Sequence, residues 1–123
     1  MKEVFRVLKK NGIYISEDYY SEDCQELKDF FKRGQDYNKE PLFKKVMTES
    51  LNADFSQIKF LKFEEIEYYK TIDDLKYLLT HTPILDYYNE KEDDKILKKY
   101  VEHFSTKKGI KVNRRLFSFT IKK

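Results

Sequence analysis

The chain is 123 residues long, with 38% charged, 40% hydrophobic and 16% aromatic residues, and its 25 bases and 22 acids leave a net charge of +3. That length suits one domain, residues 1–123, with its own core. No apolar run approaches the ~20 residues that cross a bilayer, and ten Tyr with ten Phe are too many for a solvated coil. So small a net charge is not enough to imply a polyanion partner. One cysteine excludes an internal disulfide and a Cys-rich zinc site, and with no signal or transit pattern the expected location is cytoplasmic.

Val4, Val7 and Leu8 follow the helical spacing i, i+3, i+4, and Asn11-Gly12 supplies a left-handed stop. Lys9 and Lys10 suit the negative end of that helix. The helix starts at Met1 without a capping residue, so it reads as the tail of a longer element. Ile13-Tyr14-Ile15 reads as a short buried strand. Ser21 is a candidate N-cap for a helix whose Cys24, Leu27 and Phe31 share one face. Pro41 fits the first turn of a third helix, with Leu42, Val46 and Met47 inward. Residues 58–69 are rich in β-branched and aromatic side chains and read as strand. Thr71 caps a helix carrying Leu75, Leu78 and Leu79, which Pro83 limits. Residues 93–106 predict an amphipathic helix with Ile96, Leu97, Tyr100, Val101 and Phe104 as its stripe, ended by Lys107-Lys108-Gly109. The last strand covers about 110–121, with Phe117, Phe119 and Ile121 on one face.

This order predicts an α/β fold: a small three-stranded mixed sheet flanked by helices. Three strands are few for so many helices, so either the sheet has an open edge or a second chain, as in a homodimer, covers it. Charge is uneven along the chain. Residues 17–29 hold six acids and one lysine, while residues 107–123 hold seven bases and no acid. Each run is expected to be a solvated surface.

The segment Glu3-Val4-Phe5-Arg6-Val7-Leu8-Lys9-Lys10-Asn11-Gly12-Ile13-Tyr14-Ile15 resembles the E-x-x-R-V-L-K-x-G-G stretch of class I S-adenosylmethionine-dependent methyltransferases, which ends one helix and enters the fifth strand. Lys10-Asn11-Gly12 stands where the family usually has Pro-Gly-Gly, and Asn tolerates the same left-handed turn. The layout that follows is similar to the C-terminal half of that Rossmann-like fold. Residues 13–15 would be its fifth strand, 58–69 its sixth, and 109–123, with Arg114-Arg115-Leu116-Phe117, its seventh. Residues 71–106 would form a helical insertion or lid between the last two strands. The glycine-rich loop that holds the cofactor is absent: Gly12, Gly34 and Gly109 are isolated, and the ribose-binding acid is missing too. The resemblance therefore implies S-adenosylmethionine as cofactor but no complete site for it in this chain.

In open α/β sheets, ligands bind beyond the carboxyl ends of the strands. For the first strand those residues are Ser16, Glu17, Asp18, Tyr19 and Tyr20, the first candidate substrate edge. Thr80-His81-Thr82-Pro83 is the second, with His81 a potential base near neutral pH. His103 lies beside an apolar stripe and is expected to be structural. The two histidines lack metal-ligand spacing. Cys24 is expected in the core. Tyr68-Tyr69 and Tyr87-Tyr88 could line an aromatic pocket, or divide between core and rim.

The expected function is the C-terminal, substrate-side portion of a methyltransferase acting on a small molecule. No catalytic residue is assignable and no membrane association is expected. The alternatives are a non-catalytic protein-interaction domain and, less supported, a nucleic-acid module using the basic C-terminal strand, where Arg114 and Arg115 mix with Phe117 and Phe119. The low net charge argues against the last.

Overall fold

The computed structural model describes all 123 residues. In chain order they form α1 (Lys2–Val7), β1 (Ile13–Tyr19), α2 (Gln25–Phe31), α3 (Leu42–Leu51), β2 (Gln57–Tyr69), α4 (Ile72–His81), α5 (Asp94–Phe104), β3 (Ser105–Thr106) and β4 (Gly109–Lys122). The sheet order is β1-β4-β2, with β3 also paired to β4. The molecule is thus α/β, with four strands in an open sheet and five helices.

Two expectations about the sheet are corrected. It has four strands rather than three, and every pairing is antiparallel rather than mixed. The extra strand arises because α5 stops at Phe104. The chain then turns through Lys107-Lys108, with the Thr106 hydroxyl donating to the Gly109 carbonyl at 2.8 Å and accepting from the Lys108 amide at 3.1 Å. Gly109 is required there: its φ is +129°, and a Cβ would lie 2.6 Å from the Tyr69 carbonyl oxygen. As for direction, β1 and β2 both run antiparallel to β4 and hence share one direction. The last strand separates them, so no parallel pair forms.

β4 explains where the core sits. Ile110, Val112 and Arg114 are buried, then the phase shifts, and Phe117, Phe119 and Ile121 are buried. Side chains alternate faces along a strand, so these two sets lie on opposite sides of the sheet. Ile110 and Val112 pack with Cys24, Leu27, Leu75, Leu79, Leu97 and Tyr100, bringing α2, α4 and α5 onto one face. Phe117, Phe119 and Ile121 pack with Tyr20, Phe55, Phe43, Val46 and Phe5, bringing α1 and α3 onto the other. Each helical layer covers only part of its face.

Individual elements follow from local chemistry, with some corrections. Thr71 and Asp74 form a reciprocal capping box at the start of α4, as its sequence implied. Ser21 does not cap α2; it lies in the preceding turn, and Cys24 occupies the N-cap position with no side-chain bond. Leu42 is exposed while its neighbour Phe43 packs inward. The short α1 ends on the side chain of Lys123, whose Nζ donates to the Phe5 and Leu8 carbonyls at 2.6 and 3.0 Å. Lys9 and Lys10 stay exposed, so a cation from the far end of the sequence satisfies the negative helix end.

The β1 expectation is corrected most. The strand is longer than Ile13-Tyr14-Ile15 and is not buried: Ile13 and Ile15 are 58% and 65% exposed. Paired residues share a face, so Ile13 and Ile15 lie beside Thr120, Ser118, Leu116, Leu61 and Phe63 on the half of the sheet that α2, α4 and α5 leave bare. Leu61 is 64% exposed there.

Candidate functional site at the carboxyl end of β1

β1 ends in Asp18-Tyr19-Tyr20, and the chain then folds back along β4. The Tyr20 amide donates to the Arg115 carbonyl at 2.8 Å and the Cys24 amide to the Asn113 carbonyl at 3.1 Å. This return brings α2 beside the strand end and opens a cleft of about 80 Å³. Asp18, Tyr19 and Tyr20 line it, facing Asp23, Lys28 and Asp36. The rest of its wall includes Gln35, Leu42 and Ile84. A wider, open groove of about 450 Å³ along the start of α3 shares Asp36 and Leu42 with it.

One wall of the cleft is fixed by an ion-pair network. Arg114 grips Asp23 with Nε at 3.0 Å and Nη2 at 3.1 Å, and the Arg115 amide adds a third bond to Asp23 at 2.9 Å. Arg114 Nη1 also reaches Glu67 at 3.1 Å, and the Tyr69 hydroxyl donates to that same carboxylate oxygen at 2.6 Å. Its guanidinium lies 4.4 Å from the centre of the Tyr19 ring. Burial disfavours the Arg114 charge, but the Asp23 bonds outweigh it and raise its pKa further. Arg115 forms a two-pronged pair with Glu26, at 2.7 and 3.0 Å. Burial alone would raise the Glu26 carboxyl, and the Arg115 guanidinium overrides it and holds the group below its ordinary value.

Lys28 is the unusual member. It is 3% exposed, and its ammonium makes one hydrogen bond, 3.3 Å long, to the Ser21 carbonyl. A lysine ammonium has three donors, and no carboxylate forms an ion pair with this one. Burial lowers its pKa, against the pull of Asp23. Gly34 makes room for its stem: with φ +143°, a Cβ there would sit 2.7 Å from the Lys28 Cγ and 2.7 Å from the Ile84 carbonyl. The Gln35 amide bonds to that same carbonyl at 3.0 Å, which pins the loop over the lysine.

Of the residues singled out from sequence, Asp18, Tyr19 and Tyr20 meet in this cleft. Asp18 also accepts a 2.7 Å bond from the Tyr19 amide. Glu17 is exposed and does not line the cleft. His81 is outside it too: at the end of α4 its Nδ1 lies 2.8 Å from the Tyr77 carbonyl, and its ring stacks on Tyr77. His103 packs against Phe30 and Phe104. Cys24 is buried in the core, its thiol pushed up to about 12 by burial and by Asp23. The tyrosine pairs split: Tyr69 and Tyr88 are half-buried, while Tyr68 is 39% and Tyr87 97% exposed. Tyr68 and Tyr69 line an open cavity of about 360 Å³ together with Tyr77, while Tyr87 and Tyr88 take no part in it.

Asp23, Lys28 and Asp36 were not anticipated. A signal for Lys28 existed: it falls at i+4 from Cys24 and three before Phe31, on the helix face already read as apolar. Asp36 carried none, because a loop held by Ile84 brings it in.

This cleft by itself is too small for S-adenosylmethionine. Sites for drug-sized ligands measure about 300–1,000 Å³, well above the roughly 80 Å³ of this cleft. At each of the three glycines a Cβ would come within 3 Å of backbone or, at Gly34, of the Lys28 stem as well. No cluster of three or more His, Cys, Asp or Glu side chains could hold a metal ion. No helix is long and apolar enough to cross a membrane. No protein-family model matches the chain, and no curated protein matches it in sequence.

Proposed function

We propose that the chain is the C-terminal, substrate-side portion of an S-adenosylmethionine-dependent methyltransferase. The feature that supports this reading is the Glu3 to Ile15 segment, whose pattern resembles the family: as in that pattern, a helix, α1, leads into a strand, β1. β2 and β4 follow at the positions where the resemblance puts the sixth and seventh strands. In this reading the chain supplies the substrate edge at Asp18-Tyr19-Tyr20, and the cofactor is bound by strands outside the residues described. The substrate is a small molecule, in keeping with the size of the cleft.

A non-catalytic interaction domain is the second reading, and the bare apolar half-face around Ile13, Ile15 and Leu61 favours it. The nucleic-acid reading loses support, because Arg114 and Arg115 spend their donors on Asp23, Glu26, Glu64 and Glu67.

Calorimetric titration with S-adenosylmethionine and S-adenosylhomocysteine, together with the mass of the chain in solution, tests the proposal. No cofactor binding by a self-associating chain is the expected result. Micromolar binding would overturn the account of what this chain lacks. A stable monomer without cofactor affinity would favour the interaction domain.

A further inference from the structure

We propose that the cleft at the carboxyl end of β1 binds a small zwitterion, its carboxylate on Lys28 and its ammonium toward Asp36 and Asp18. This deepens the reading of that edge as the substrate side by naming a ligand class.

Charge accounting leads to it. Asp23 is taken up by Arg114, which holds it through two bonds while also pairing with Glu67 outside the cleft. The charges left over in the cleft are one cation, Lys28, and two carboxylates, Asp18 and Asp36. A plain anion would meet Lys28 but be repelled by both acids. A plain cation would be held by the acids and repelled by the lysine. Only a ligand carrying both signs complements all three.

Geometry supplies the second argument. Lys28 sits at the buried side of the cleft with two ammonium protons unpartnered, and buried donors left unmet are costly. Asp36 is half-buried and Asp18 exposed, so the two carboxylates form the outer side. A ligand would enter acceptor first, leaving its donor end at the rim. The volume, about 80 Å³, is a few times the ~30 Å³ share of a water molecule, which suits a molecule or terminal group the size of an amino-acid head. Burial lowers the pKa of Lys28, and Asp23 and Asp36 only partly offset it.

Glycine, the smallest amino acid, is the probe, with acetate and ethylammonium as single-charge controls. Titrations would follow the Lys28 side-chain resonances and the Gln35 and Asp36 amides by NMR. Glycine is expected to give saturable shifts confined to these residues, with each control at least about tenfold weaker. Lys28→Met should abolish the saturation. Asp36→Asn, at a partly exposed loop position where folding is not at stake, should weaken glycine while strengthening acetate, which Asp36 otherwise repels. Glycine shifts no stronger than those of acetate, or unchanged by both substitutions, would overturn the proposal. The probe needs no cofactor, so failure here leaves the methyltransferase reading to its own titration. A chain that binds glycine but proves to be no methyltransferase keeps this site.

Discussion

Arg114 holds Asp23 through Nε and Nη2 at 3.0 and 3.1 Å, joining residues 91 positions apart and tying the acidic run of the sequence to the basic one. Both side chains are 7% exposed. A buried pair contributes little net stability compared with an apolar pair of the same shape, because both charges lose water. Breaking it by removing one partner is far worse. Asp23→Ala should therefore destabilise the chain by about 3–5 kcal/mol in urea unfolding, since Arg114 keeps only Glu67 and the Arg115 amide loses its acceptor. The double replacement Asp23→Leu with Arg114→Met should cost clearly less than Asp23→Ala alone. Equal losses would mean that the charges themselves stabilise the fold.

That pair also shows what the sequence does and does not reveal. The acidic and basic runs are visible in the sequence, but each reads as a solvated surface until the return of the chain after Tyr20 lays one against the other. The helices with a clear apolar stripe, α4 and α5, were legible, as was the face carrying Phe117, Phe119 and Ile121. β1 was misread because Ile13-Tyr14-Ile15 has the composition of a buried strand. Whether a sheet face is covered depends on distant helices, and here they stop short. In the cleft, Asp18, Tyr19 and Tyr20 follow from strand polarity alone; Lys28 is marked only by its place on the apolar face of α2, and Asp36 by nothing, because a loop brings it in.

Cys24 should be chemically silent in the folded chain. Its thiol is pushed up to about 12, mainly by burial, and the thiolate is the reactive form. Reaction with a disulfide reagent near pH 8 should be about a thousandfold slower than in denaturant on thiolate fraction alone. Rapid labelling of the native chain would show that α2 opens readily from the sheet.

The two edges of the sheet differ in how they resist pairing. β2 carries Lys59, Lys62, Glu64, Glu65 and Glu67 along its length, the charged kind of edge that discourages association. On β1, the Tyr20 amide bonds to Arg115 and the Lys123 amide to Gly12, so even-numbered residues face β4 and Ile13, Ile15 and Glu17 point their backbone groups outward. The next outward amide, Tyr19, is satisfied by Asp18. Ile15→Lys should lower self-association, read as solution mass against concentration, while changing stability by less than about 0.5 kcal/mol, as for a surface site. An unchanged mass would remove β1 as the associating edge.

Thr71 accepts from the Asp74 amide at 3.2 Å, and Asp74 accepts from the Thr71 amide at 3.2 Å. Thr71→Ala leaves the first turn of α4 with an unmet donor and should cost about 1 kcal/mol. A loss of only a few tenths would mean that water replaces the cap at this exposed site.

The buried ammonium of Lys28 gives stability a defined pH dependence. Burial lowers its pKa from the ordinary 10.5, with Asp23 opposing. Below the lowered value both folded and unfolded chains keep the proton, and folding carries the whole cost of burying the charge. Above it the folded chain releases the proton, while the unfolded chain holds it until about pH 10.4. The unfolded state then binds more protons, so stability rises with pH across that window. Lys28→Met has no such proton and keeps much of the volume beside Gly34. It should be more stable than the parent at pH 7, by roughly 1 kcal/mol, and the advantage should shrink as pH rises toward 10. Urea unfolding of both chains across this range measures the difference directly. An advantage that stays constant would mean that Lys28 keeps its proton throughout, and a loss of stability at pH 7 would mean that its bond to Ser21 outweighs the burial of its charge.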